Sequence, residues 1–136
     1  MKVLLTGARG FIGSCFQQQY AQKYTIQPFS FLNNDLETLQ LKDVDVVIHL
    51  SALVHQMNGA SDKAYEKINV EQTLQLAHKA KENGVKHFIF MSTVKVYGEE
   101  STIAYTETSL CYPKDMYGKT KLKAEQELQK LENNDF

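Results

Sequence analysis

The chain has 136 residues, 43% of them hydrophobic and 23% charged, which is the composition of a globular domain rather than of a disordered segment. Fifteen Lys and Arg stand against sixteen Asp and Glu, a formal net charge of -1, so the bulk electrostatic case for a nucleic-acid partner is weak. No apolar run approaches the roughly 20 residues of a membrane span, and Met1-Lys2-Val3-Leu4-Leu5-Thr6 turns polar too soon for a signal peptide. Lys2–Thr6 reads as a strand that stops at Gly7, and Phe11 to about Lys23 as a helix. Thr25–Ser30 reads as a second strand, weakened by Pro28, and Asp45–Leu50 as a third, nearly continuous apolar one. The connection between these two is short and has room for one helical turn near Leu36. Lys63–Asn83 reads as a long helix closed by Gly84 at C′, and Val85–Ser92 as a fourth strand. A last helix is expected from Pro113 to Leu131, with Pro113 in its first turn.

Strands that are apolar throughout are buried on both faces, the habit of parallel sheets. Alternation of strand and helix predicts an α/β, Rossmann-like parallel sheet with helices on both faces. It would be partial, with about four strands in the order 3-2-1-4, and residues 1–136 would form one incomplete dinucleotide-binding domain. Cys15 and Cys111 are too few and too far apart for a disulfide framework, so a reducing cytoplasm is the expected compartment. The four His residues show no metal-ligand spacing.

The strongest local signal is Thr6-Gly7-Ala8-Arg9-Gly10-Phe11-Ile12-Gly13, placed after a strand and opening a helix. Gly7 would allow a tight turn, Gly10 a close approach of backbone to a pyrophosphate, and Gly13 close packing of helix on sheet. The helix start at Phe11 and Ile12 would present free N–H groups and a positive dipole end to phosphates. A glycine-rich turn without a ligand has the same spacing, and the strand–turn–helix setting is what favours the cradle.

Tyr117 and Lys121 stand four apart in Tyr117-Gly118-Lys119-Thr120-Lys121 and share a helix face. A phenol with a pKa near ~10 is a poor base at neutral pH, and a nearby ammonium would favour its phenolate. Tyr117 could then exchange a proton with a hydroxyl or carbonyl while a nicotinamide moves hydride. A Tyr with a snorkelling Lys could equally pad a helix face. Ser92 and Thr93 follow the fourth strand, at the strand ends where open α/β sheets bind ligands, or else satisfy backbone groups there.

Taken together, these segments resemble the extended short-chain dehydrogenase/reductase superfamily, in its branch of NAD-dependent epimerases and dehydratases acting on nucleotide sugars. The resemblance runs through nearly the whole chain. It implies that Tyr117 is the acid/base, that Lys121 tunes it and holds the nicotinamide ribose, and that Thr93, with Ser92 as the alternative, bonds the reacting oxygen. It implies that His49-Leu50-Ser51-Ala52 lines the cofactor with backbone at Leu50, Ser51 and Ala52, His49 itself being a satisfied strand residue. Asn69, in Asn69-Val70 with Thr73-Leu74, would organise the site. Asp35-Leu36 would contact adenine, Asp35 having the alternative of an exposed acid or helix cap.

Ala52-Leu53-Val54-His55 and Ser92-Thr93-Val94-Lys95-Val96 are similar to bacterial enzymes of surface-polysaccharide synthesis that use UDP-N-acetylhexosamines. NAD or NADP is the implied cofactor. Gln27-Pro28-Phe29-Ser30-Phe31 carries no ribose-binding acid, and Arg9 matches a 2′-phosphate position, which tips the expectation slightly to NADP. Members of the family are about twice this long, so the chain is expected to be an N-terminal fragment whose fourth strand has an open edge, and a homodimer is possible there. A non-catalytic dinucleotide-binding module or truncated remnant is the competing expectation. A flavodoxin-like or receiver-type domain fits the alternation alone. No nucleic-acid partner and no membrane insertion are expected.

Overall fold

Val3, Leu4 and Leu5 are almost wholly buried, and they make β1 (Lys2–Thr6) an interior strand. The computed structural model describes residues 1–54, 59–102, 104–133 and 135–136. β1 pairs in parallel with β2 (Thr25–Phe29) on one side and with β3 (Val46–His49) on the other. β4 (His87–Phe90) pairs in parallel with β3. The order is therefore 2-1-3-4, not the expected 3-2-1-4. Pro28 supplies the reason. Proline cannot donate to a ladder and is confined to edge strands, so β2 ends the sheet and the third strand takes the other side of β1. β4 is the opposite edge, with Ile89 49% and Met91 42% exposed, so the double-sided burial expected of the fourth strand does not extend to it.

The chain divides into two compact units. The first comprises Met1–Ala52, Gln75–Met91 and Leu131–Phe136 and holds the sheet and helix α1 (Phe11–Tyr20). Its core joins Leu4, Phe29, Leu39, Leu41, Val44, Val47 and Val85 to Leu76 and Ala80. Leu76 and Ala80 lie one turn apart and so share a helix face. The connection from β2 to β3 holds a single 3-10 turn, Leu36–Thr38, as expected.

The second unit comprises Leu53–Leu74 and Ser92–Lys130. The long helix foreseen over Lys63–Asn83 is a run of α2 (Asp62–Tyr65), a π-helical segment Glu66–Glu71 and α3 (Gln72–Glu82). The Ser61 hydroxyl caps its start by accepting from the Ala64 N–H. Gly84, at φ +74, follows its end as foreseen. α4 (Met116–Gln129) starts three residues later than expected, because Asp115 and not Pro113 opens it. The Asp115 carboxylate accepts the Gly118 N–H at 2.7 Å, the N-cap geometry that satisfies an orphan donor of the first turn. α4 buries Gly118, Thr120, Lys121 and Ala124. Gly118 is required there, since a Cβ would stand 2.8 Å from the Lys95 carbonyl oxygen in the 3-10 turn Val94–Val96.

Candidate functional site

The glycine loop lies in the first unit. Gly7 adopts φ +66, where an L side chain is strained, and a Cβ on it would stand 2.9 Å from the Leu50 backbone. Gly10 donates its N–H to the Gly7 carbonyl at 2.9 Å and precedes α1 with no side-chain cap. A Cβ on Gly13 would stand 2.3 Å from the Gly7 oxygen, so this glycine is what allows α1 to close on the turn. Gly10 is different: its Cβ would meet only the Gly7 oxygen, at 3.2 Å. The fold thus tolerates a small side chain at Gly10 far better than at Gly13. Phe11 is 86% exposed and Arg9 is exposed beside it. The loop is an open backbone cradle followed by an uncapped helix start, which suits a pyrophosphate.

Thr6 anchors this cradle, although in the sequence it is only the last strand residue before a glycine. Its Oγ1 accepts the N–H groups of Leu50 and Ser51, each at 3.1 Å. Its own proton then goes to His49 Nδ1, 2.7 Å away, because a hydroxyl has one donor and two acceptor sites. His49 is 1% exposed and is a satisfied strand residue, as expected. The segment Leu50–Ala52 is tied to the glycine turn through Thr6. Asp35 caps the 3-10 turn by accepting the Glu37 N–H at 2.9 Å and is exposed, with Leu36 packed against the core.

Thr93, Tyr117 and Lys121 all lie in the second unit. The Thr93 hydroxyl is near enough to the Tyr117 phenol to favour its phenolate. Thr93 follows β4 and starts the 3-10 turn, accepting the Lys95 N–H at 3.3 Å. Burial pushes the Tyr117 phenol above its ordinary value, the Thr93 hydroxyl opposes this, the Asp115 charge raises it further and the Lys95 charge lowers it. The expected lowering of the Tyr117 pKa is not found, because burial outweighs the contributions that favour the phenolate. Lys121 is 2% exposed, and burial lowers its pKa to about 8 against a supporting charge from Glu125. Ser92 donates its hydroxyl to Glu125, which separates it from the Thr93–Tyr117 pair.

Asn69 sits in the π-helical segment and is 1% exposed. Its Oδ1 accepts the Leu53 N–H at 2.7 Å, and its Nδ2 donates to the Leu53 carbonyl at 3.0 Å and to Thr120 Oγ1 at 3.2 Å. One amide thus ties the loop at Leu53 to the residue before Lys121. Nothing in the sequence signals the π-helical turn, although such turns recur at functional sites. His55, the end of the Ala52-Leu53-Val54-His55 segment, lies outside the described residues. The same unit has an open cavity of about 730 Å³ whose lining includes Tyr97, Tyr105, Tyr112 and Lys114. The Tyr97 and Tyr105 rings stack at 5.2 Å, and the Lys114 ammonium lies 3.9 Å from the Tyr112 ring centre. Among the described residues no group of His, Cys, Asp and Glu could hold a metal ion, and no helix is long and apolar enough to cross a membrane.

Residues 3–135 match the model of the NAD dependent epimerase/dehydratase family. A UDP-glucose 4-epimerase of Vibrio cholerae is 31% identical over 150 residues, covering 93% of this chain and 45% of the relative. The structure is similar to that of a UDP-glucuronic acid 4-epimerase from Bacillus cereus in complex with NAD, with TM-score 0.80 and 32% identity over 96% of this chain and 52% of the other. It is also similar to a UDP-N-acetylglucosamine 4-epimerase from Methanobrevibacter ruminantium M1 in complex with UDP-N-acetylmuramic acid. That match has TM-score 0.86 and 27% identity, again over 96% of this chain and 50% of the other. The chain spans about half the length of these relatives. With the parallel sheet, the glycine cradle and a family match over nearly its whole length, the chain belongs to the NAD-dependent epimerase/dehydratase family.

Proposed function

We propose that this chain carries the dinucleotide cradle and the proton-transfer residues of an NAD(P)-dependent enzyme that epimerises, dehydrates or reduces a nucleotide sugar. A UDP-N-acetylhexosamine used in surface-polysaccharide synthesis is the substrate class we favour. The observation that carries the reading is the placement of Tyr117 and the buried Lys121 one turn apart on α4, in the same unit as Thr93. The cofactor would be held by Gly7, Gly10, Phe11, Ile12 and Gly13 at its pyrophosphate and by Asp35 and Leu36 at adenine. Backbone at Leu50, Ser51 and Ala52 would line it, Asn69 would organise the site through Leu53 and Thr120, and Lys121 and Tyr117 would serve the nicotinamide ribose. When bound, the dinucleotide supplies a reversible hydride acceptor.

Tyr117, as phenolate, takes the proton of the sugar hydroxyl as hydride leaves the same carbon, and as phenol it returns a proton when a carbonyl is reduced. Thr93 bonds the reacting oxygen and favours the Tyr117 phenolate. The Lys121 ammonium adds positive charge to the same helix face. The stacked tyrosines of the neighbouring cavity offer flat apolar surfaces suited to a pyranose ring. The absence of an acid in Gln27–Phe31 and the exposed Arg9 favour NADP, whereas solved relatives hold NAD.

The test supplies UDP-N-acetylhexosamines with either dinucleotide to this chain and to the longest product of the same gene, and follows the sugar by NMR. Conversion that falls by at least ~10²-fold in Tyr117→Phe, the usual range for a lost acid/base group, supports the reading. Dinucleotide binding without conversion in either form identifies a binding module instead.

A further inference from the structure

We propose that Lys95, paired with Asp115, is a positioning residue of the proton-transfer site: it clasps the turn that carries Thr93 to the start of the helix that carries Tyr117. The proposal rests on the reading of Tyr117 as the acid/base. The Lys95 ammonium lies 2.6 Å from Asp115 Oδ2, while Asp115 Oδ1 accepts the Gly118 N–H at 2.7 Å. One carboxylate therefore caps α4 and holds the turn at once. At the other end the Lys95 backbone N–H donates to Thr93 Oγ1, so Lys95 touches the turn by its backbone and the helix by its side chain. The contact is close, because the Lys95 carbonyl leaves room only for a glycine at position 118. The Tyr112 N–H, donating to the Val96 carbonyl at 2.9 Å, ties the same turn to the chain just ahead of Asp115.

The clasp is also electrically paired. Lys95 and Asp115 act on the Tyr117 phenol with opposite sign, so removing either one shifts the balance of charge beside the reacting group in a definite direction. Three other acids of this unit have partners of their own. Glu99 bonds Lys95 from its outer side at 3.3 Å. Glu66 of the π-helical segment pairs with Lys123. Glu125 accepts from Ser92 and supports the charge of Lys121 on the same helix.

The test is the titration of Tyr117 in this chain, read by NMR of tyrosine isotope-labelled at Cζ, with the Tyr117 signal assigned by its loss in Tyr117→Phe. In Lys95→Met the charge that lowers the Tyr117 pKa is gone while that of Asp115 stays, so Tyr117 should titrate at higher pH. In Asp115→Asn, which keeps a capping side chain, the charge that raises the Tyr117 pKa is removed and Tyr117 should titrate at lower pH. Lys95→Arg should restore the wild-type midpoint. A purely structural tie would expose the phenol in both variants and move them in the same direction. That result, or an unmoved midpoint in Lys95→Met, overturns the proposal. If Lys95→Met does not fold, Lys95→Gln takes its place with the same expected direction. Full turnover by Tyr117→Phe would overturn the acid/base reading and would leave these midpoints unchanged, so the two failures are distinguishable.

Discussion

The side chain of Asn69 engages both backbone groups of Leu53, accepting its N–H at 2.7 Å and donating to its carbonyl at 3.0 Å. A primary amide is the side chain that can do both at once. Asn69→Asp keeps the acceptor but removes the donor, which leaves the Leu53 carbonyl and Thr120 Oγ1 facing a carboxylate. Asn69→Ala removes both. Each variant should lose about 1–3 kcal/mol of stability, the usual consequence of unpaired buried polar groups, measured by denaturant unfolding. Unchanged stability in both would show that water replaces the amide without loss.

The glycines should separate by function. Gly13→Ala forces a contact that stands at 2.3 Å from the Gly7 oxygen and should lower the melting temperature. Gly10→Ala has room in the fold and should melt near wild type while losing dinucleotide affinity. Thermal unfolding of both variants beside wild type checks the split, and equal melting of the two contradicts the packing argument.

Lys121 makes stability depend on pH in a definite direction. Its folded pKa, about 8, lies below the ordinary 10.5, so between these values the unfolded chain binds more protons than the folded one. Stability should therefore rise with pH across that window, with the contribution of Lys121 least favourable below about pH 8. The gap between 10.5 and about 8 corresponds to roughly 3 kcal/mol. Lys121→Met should gain stability at neutral pH and should lose this part of the pH dependence. Parallel stability-against-pH curves for variant and wild type would contradict the assignment.

Thr93 and Ser92 should not be interchangeable. Thr93→Val removes the hydroxyl that favours the Tyr117 phenolate and should shift the Tyr117 titration to higher pH. Ser92→Ala removes a bond to Glu125 and should leave the Tyr117 midpoint in place. The Cζ signal of Tyr117 reads both, and equal shifts would argue against Thr93 as the partner.

The parts of this protein legible in its sequence are those set by local backbone chemistry. Glycine spacing after an apolar strand located the cradle, Gly84 located a helix end, and the four-residue spacing of Tyr117 and Lys121 located one helix face. What escaped depends on partners far apart in the chain. Pro28 marked a weak strand, but its consequence, that β2 must be an edge and β3 must cross to the far side of β1, emerges only with the pairing. The π-helical turn at Asn69 has the composition of ordinary helix. Thr6 reads as the last strand residue before a glycine, and its bonds go to residues more than forty positions away. The helix start moved from Pro113 to Met116 because Asp115, not proline, supplies the cap. The pairing of Lys95 with Asp115 spans twenty positions and has no motif.

The most direct test of the central claim is calorimetric titration of NAD and NADP, side by side, into this chain and into Gly10→Ala. The account predicts saturable binding to the chain, with affinity lower by at least roughly tenfold in Gly10→Ala, equivalent to about 1.4 kcal/mol. Equal affinity for both proteins, or no binding of either dinucleotide to the folded chain, would contradict the assignment of the glycine loop as a dinucleotide cradle.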